Sequence, residues 1–70
     1  MKIGSRVLIV DNLKELKDKG NDIVSDMLVY AGQEAIITNI YSEKEAIAPF
    51  EINVDNGYWG WYSNMIVEIE

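Results

Sequence analysis

The sequence predicts one small, mainly all-β domain over residues 1–70, in which five short strands form a barrel. Two observations support this fold class: five short segments rich in β-branched or aromatic residues, and an Asn-Gly dipeptide typical of a tight hairpin. Five short strands cannot bury the core of a flat sheet, so we expect them to curl into a barrel that protects its own edges. The chain contains no Cys or His, which excludes disulfides and thiolate or imidazole zinc sites.

The first strand and a first helical turn are predicted within residues 5–20. The run SRVLIV (5–10) is typical of a buried strand, with Val7 and Ile9 on one face. In the charged segment LKELKDKG (13–20), the two Leu residues are three apart, which allows either a helical turn on the surface or a mobile loop. Gly20 ends this segment.

A second helical segment is predicted before the next strand. Ile23, Met27 and Tyr30 recur at i, i+4 and i+7, which places them on one face of a short helix or turn. Gly32 then marks its end. The two segments together make a long first loop that contains a short helical turn.

Four further strands complete the predicted barrel. Residues 34–41 (EAIITNIY) and 49–55 (PFEINVD) alternate apolar and polar side chains, as half-buried strands do. Asn56 and Gly57 accept positive φ, so they predict a tight turn into a partner strand at 58–62 (YWGWY). The last strand is MIVEIE (65–70).

Three patterns follow one another along the chain: GSRV at the start, MLVYAGQEAIITNI in the middle and FEINVDNGYWGWYSNM near the end. Together they resemble the SH3-like barrels of the Mind bomb/Herc type and their small relatives in phage and bacterial proteins. The matching positions are Gly4, Val7, Met27, Tyr30, Gly32, Ala35, Ile37, Asp55, Gly57, Trp59, Trp61 and Met65.

This resemblance implies a five-stranded SH3-like barrel with a long first loop. On function it implies only a module that binds a protein or peptide, because the eukaryotic members dock substrate tails. For the phage and bacterial members the resemblance does not indicate which activity to expect. The sequence departs from the family pattern in LKELKDKG and in SEKEAIA (42–48). Both are predicted loops, where partner specificity is expected to lie.

The two Trp residues are predicted to have different environments. Trp59 and Trp61 are two residues apart, so an unbroken strand would place them on the same face. Gly60 between them indicates a bulge or a close approach of another segment, which would turn them apart. We therefore expect Trp61 to pack in the core with Met65, and Trp59 to be partly exposed.

The candidate binding residues are four aromatic residues and one acid. Tyr58, Trp59 and Tyr62 either contact a ligand or are half-buried packing residues, and Tyr30 either joins them or pins the long loop to the barrel. Asp55 is either a rim acid of this groove or a turn former. An aromatic groove rimmed by acids suits a basic or Pro-rich peptide.

The net charge of −6 narrows the classes of partner. Nucleic acids and anionic membrane surfaces require a basic face, so both are disfavoured. The acidity either keeps the protein in solution or forms an acidic surface that meets a basic partner or imitates DNA. The alternative function is therefore a small acidic phage-type inhibitor that blocks a basic or nucleic-acid-binding surface of a host protein. Its acids would be Glu34, Glu43, Glu45, Glu51 and Asp55.

An oligomer formed through edge strands is a third possibility, and the sequence leaves the oligomeric state open.

Catalysis, a cofactor and a metal site are not predicted. The serines have no His to activate them. Residues 51–62 faintly resemble a calcium-binding loop. However, Asn56 stands at the sixth position, where such a loop requires Gly, and Tyr62 stands at the twelfth, where it requires Glu.

The N-terminal apolar run is too short for a signal peptide or a membrane span, so we expect a cytoplasmic protein.

Overall fold

A computed structural model describes residues 1–42 and 47–69, and within them four short strands form one open antiparallel sheet. The strands are β1 (Arg6–Ile9), β2 (Glu34–Ile40), β3 (Phe50–Ile52) and β4 (Ile66–Glu68). Their order across the sheet is β3-β2-β1-β4. The prediction of a small, mainly β domain is therefore confirmed in its coarse form. Most of the predicted turn SEKEAIA, namely 43–46, and Glu70 of the predicted last strand lie outside the described residues.

The central strands show the predicted alternation. On β1, Val7 and Ile9 are buried while Leu8 is exposed, and β2 alternates in the same way around Ala35 and Ile37. β1 pairs with β2 on one side and with β4 on the other. One face of the sheet therefore carries the core, as period-2 patterning dictates.

The long connection between β1 and β2 contains the two predicted helical segments. The first is the helix α1 (Leu13–Asp18), whose Leu13 is buried, and the second is a 3-10 helix at Ser25–Tyr30, whose Met27 is buried. The buried side chains of Leu13 and Met27 cover the core face of the sheet, which explains why this long and partly charged connection folds.

The prediction of five strands is not confirmed, because residues 58–62 do not form a strand. Their link to the sheet is an isolated bridge between Trp61 and Phe50, with N···O distances of 2.8 and 3.2 Å. The described sheet is open rather than closed, so the barrel is not confirmed either.

β3 is also shorter than predicted. It ends at Ile52, and a 3-10 turn at Asn53–Asp55 follows. Here the backbone N–H of Ile36 donates to the side-chain Oδ1 of Asn53 at 3.0 Å, so a side chain takes the place of a ladder bond. The expected positive φ is present at Asn56 (55°) and Gly57 (74°), directly after this turn.

The core lies between the sheet, the two helical segments and the stretch that follows Gly60. Trp61 and Met65 are both completely buried, as expected for so small a domain. The buried apolar residues are Val7, Ile9, Leu13, Ile23, Met27, Ala35, Ile37, Ile52, Trp61, Met65 and Ile66.

Candidate functional site

Asp55 organises the turn that carries the aromatic residues. Its Oδ1 accepts the backbone N–H of Gly57 at 3.0 Å, and its Oδ2 accepts the backbone N–H of Trp59 at 3.2 Å and the indole N–H of Trp61 at 3.0 Å. The residue is 8% exposed. A buried carboxylate is tolerated when several donors satisfy it, and three N–H groups do so here. The turn-forming role considered for Asp55 is therefore present.

An aromatic cleft of about 310 Å³ opens beside this turn. Three rings line it, from Tyr30, Tyr58 and Trp59, and Asp55 lies at its edge. Asp26 and Asn56 add polar groups to the wall. We call this surface the aromatic cleft; it brings together four of the five residues selected from the sequence.

The aromatic cleft has a corner formed by two adjacent rings. The ring centroids of Tyr58 and Trp59 are 4.8 Å apart and the ring planes meet at 74°. Tyr58 is 79% exposed, whereas Trp59 is half-buried and packs against the core. Tyr58 therefore leaves most of its ring surface available for contact with another molecule.

Tyr30 joins the aromatic cleft to the core. Its ring lies 6.3 Å from that of Trp61 in an edge-to-face arrangement with an angle of 66°. Tyr30 is therefore held by packing while it also lines the cleft, so both roles considered for it coexist.

Tyr62 does not line the aromatic cleft. It lies in a second cleft of about 170 Å³, on the other side of Trp59, together with Asp22, Val24 and Ile47. Its hydroxyl oxygen accepts the backbone N–H of Asp22 at 3.2 Å, which pins the long loop. Trp59 lines both clefts, so it forms the ridge between them.

Gly60 lies between two Trp side chains that have different environments. A Cβ at this position would lie 2.6 Å from the carbonyl oxygen of Ala48 and 3.1 Å from its Cβ. The chain thus approaches another backbone segment at this point, which is one of the two expected reasons for a Gly here. Trp61 is buried beyond this contact, and Trp59 before it is only half-buried.

Two residues of the second cleft were not singled out from the sequence. Val24 and Ile47 are both exposed, and Ile47 is 78% exposed. Ile47 lies between Ala46 and Ala48, at the apolar end of SEKEAIA, so no alternation marked it. Val24 carried no such signal either, since it directly follows Ile23.

A larger recess of about 560 Å³ lies elsewhere, along residues 2–6. Lys2 and Arg6 line it and no aromatic ring does, within the part of the chain that the structure describes. It is formed by one short stretch of consecutive residues rather than by converging elements, so its size does not make it the better candidate.

The acidic residues that the alternative inhibitor function would use have partners within the protein, as far as the structure describes them. Glu34 pairs with Arg6, and Glu51 accepts the hydroxyl of Tyr41 at 3.2 Å. Glu43 and Glu45 lie outside the described residues. No cluster of three or more acids with the geometry of a metal site occurs among residues 1–42 and 47–69.

No protein-family model, curated protein or solved structure matches the chain. The resemblance to SH3-like barrels of the Mind bomb/Herc type therefore stays a prediction. In the described ranges, no helix has the length and apolar content needed to cross a bilayer.

Proposed function

We propose that this protein is a non-enzymatic module that binds a protein or peptide through the aromatic cleft. The observation that carries the proposal is the exposed ring of Tyr58, packed edge-on against Trp59 at the corner of a cleft that contains two acids. Rigid aromatic side chains contribute large contact area at little entropic cost, which makes them frequent anchors of interfaces. A basic or Pro-rich segment is the expected partner.

We also propose that the sheet belongs to a small SH3-like barrel with five strands. The bridge between Phe50 and Trp61 supports this, because it continues the sheet beyond β3 at the place where the fifth strand is expected. We further propose that the protein acts in the cytoplasm.

Peptide binding at the aromatic cleft is favoured over the acidic-inhibitor function, because the described acids that the inhibitor would use already have partners within the protein. Asp55 uses its carboxylate on three internal N–H groups, and Glu34 pairs with Arg6. Paired or buried acids contribute less to an external surface than solvated ones do. By contrast, Tyr58 has most of its surface available.

Selection from a random peptide library tests the proposal, because it requires no assumption about the partner's sequence. We expect wild-type protein to enrich peptides whose affinity falls about tenfold or more in Tyr58→Ala, because loss of an interface anchor typically has such an effect. Tyr41→Ala is the matched control, since Tyr41 is also an exposed Tyr but does not line the aromatic cleft.

Retained affinity in Tyr58→Ala, or equal loss in both variants, would contradict the proposal. Tyr58 is a better test than Trp59, because Trp59 packs against the core and its removal would also change stability.

A further inference from the structure

We infer that the aromatic cleft binds the guanidinium group of an arginine side chain in the partner. This inference rests on the proposed function, since it names the chemical group that the same cleft recognises. It is carried by three features of the described residues: the arrangement of the rings, the sign of the charge around them, and the position of the protein's own cations.

The ring geometry suits a flat cation. Tyr58 and Trp59 meet at 74°, so they form two walls of a corner rather than a flat stack. A planar guanidinium can lie against the face of one ring while its edge approaches the other. Cations are attracted to aromatic faces at ring-centroid distances up to about 6 Å, and Arg is the more frequent partner because its planar group also stacks.

The charge at the cleft has one sign. Asp26 is exposed at its wall and Asp55 is buried at its edge, and within the described residues no Lys or Arg lines it. The carboxylate of Asp55 is satisfied by N–H dipoles, while Asp26 faces solvent. An incoming guanidinium would therefore meet a carboxylate beside the rings, and its fork of donors matches such a group.

The protein's own cations lie elsewhere in the chain. Among the described residues, all Lys and Arg fall within the first nineteen positions, whereas the aromatic cleft is built from residues 26–59. None of these described cations lines the aromatic cleft. Because the site is negative and aromatic at once, a cation with a flat apolar face fits it better than a neutral proline ring or a compact ammonium group.

The first test uses N-acetyl-arginine amide as the probe, with the citrulline and lysine analogues as controls, followed by NMR. Citrulline keeps the shape of arginine but carries no charge. We expect the arginine probe to shift the ring signals of Tyr58 and the indole N–H of Trp59, with at least about threefold tighter binding than either analogue. Equal shifts from citrulline would overturn the inference, and so would equal shifts from lysine.

The second test changes the acid. Asp26→Asn should weaken binding of the arginine probe about threefold or more, because it removes the exposed charge beside the rings. Asp18→Asn is the matched control: it changes the net charge equally, but Asp18 lies on α1 and does not line the cleft. If both variants bind the probe as wild type does, the carboxylate of Asp26 takes no part and the inference is wrong.

These results separate the inference from the proposed function. If the peptide library yields peptides that depend on Tyr58 but tolerate replacement of arginine by citrulline, the inference fails and the binding function stands. If the library yields no such peptide while the arginine probe seats at Tyr58 and Trp59, the peptide-binding function fails and the guanidinium site stands.

Discussion

The carboxylate of Asp55 accepts the indole N–H of Trp61 at 3.0 Å, and both groups are buried. This hydrogen bond joins the largest core side chain to the turn that presents Tyr58 and Trp59. The same carboxylate also holds the backbone N–H groups of Gly57 and Trp59. The packing of the core and the shape of the aromatic cleft therefore depend on one side chain.

Replacement of Asp55 by Ala should strongly destabilise the protein. It leaves the indole N–H of Trp61 buried without an acceptor and frees two backbone donors, so we expect a loss of about 2 to 4 kcal/mol in the free energy of unfolding. Urea denaturation measures it. Asp26→Ala is the control, because Asp26 is exposed and should change stability by less than about 0.5 kcal/mol. Similar values for the two variants would show that the Asp55 hydrogen bonds are not stabilising.

Replacement of Gly60 by Ala should destabilise the protein for a purely steric reason. The new Cβ would lie 2.6 Å from the carbonyl oxygen of Ala48, and overpacking of this kind costs about 1 to 3 kcal/mol. Because the obstructing atom belongs to the backbone, Ala48→Gly in the same chain should not restore stability. Rescue by Ala48→Gly in thermal unfolding would assign the cost to the Ala48 side chain instead.

Tyr58 and Trp61 should differ sharply in their contribution to stability. Trp61 is 0% exposed and Tyr58 is 79% exposed. We expect Trp61→Ala to cost about 3 to 5 kcal/mol, which is comparable to the whole stability of a domain this small. Tyr58→Ala should cost less than about 1.5 kcal/mol, the upper value of one edge-to-face aromatic pair. Circular dichroism during urea denaturation measures both; a Tyr58→Ala protein that is unfolded would assign this ring to the fold rather than to binding.

The carboxyl of Glu15 should titrate below its ordinary range. Hydrogen bonds from Lys19 and Asn12, with the charge of Lys19, lower its pKa from 4.5. A lowered pKa in the folded state means that this pairing favours the folded protein above the ordinary pKa and is lost as the pH falls through the lowered value. We expect Lys19→Gln to raise the pKa of Glu15 in an NMR titration. An unchanged pKa in this variant would show that Lys19 is not the cause; Lys14→Gln is the control on the same helix.

The sequence predicted those parts of the fold that depend on local patterns. Alternation placed Val7 and Ile9 in the core, because side chains two apart on a strand share a face. Positive φ at Asn56 and Gly57 followed from their conformational freedom. The burial of Trp61 followed from the need of a small domain for large core residues.

The features that the structure does not confirm depend on specific contacts rather than on local patterns. The strand expected at 58–62 is replaced by a single bridge, since Gly60 meets Ala48 and Asp55 binds the N–H of Trp59. β3 ends early because the side chain of Asn53 bonds to Ile36. No pattern in the sequence reveals such partners, which lie more than ten positions apart in two of these three contacts.

The candidate site shows the same division. The sequence identified the aromatic residues as a group, because they cluster within a few positions. It did not predict that Tyr58 and Tyr62 would line two different clefts. Asp26 of the long loop completes one cleft and Val24 completes the other, and the positions of these two residues cannot be read from the sequence.

The pairing of β1 with β4 has a consequence for the order of folding. Val7 pairs with Ala35 on one side and with Glu68 on the other, so the two neighbours of this central strand come from residues 34–36 and 66–68. Closing so long a segment has a high entropic cost, and topologies of this kind fold slowly. During translation, the hydrogen-bonding edge of β1 that pairs with β4 therefore stays unpaired until residues 66–68 have left the ribosome.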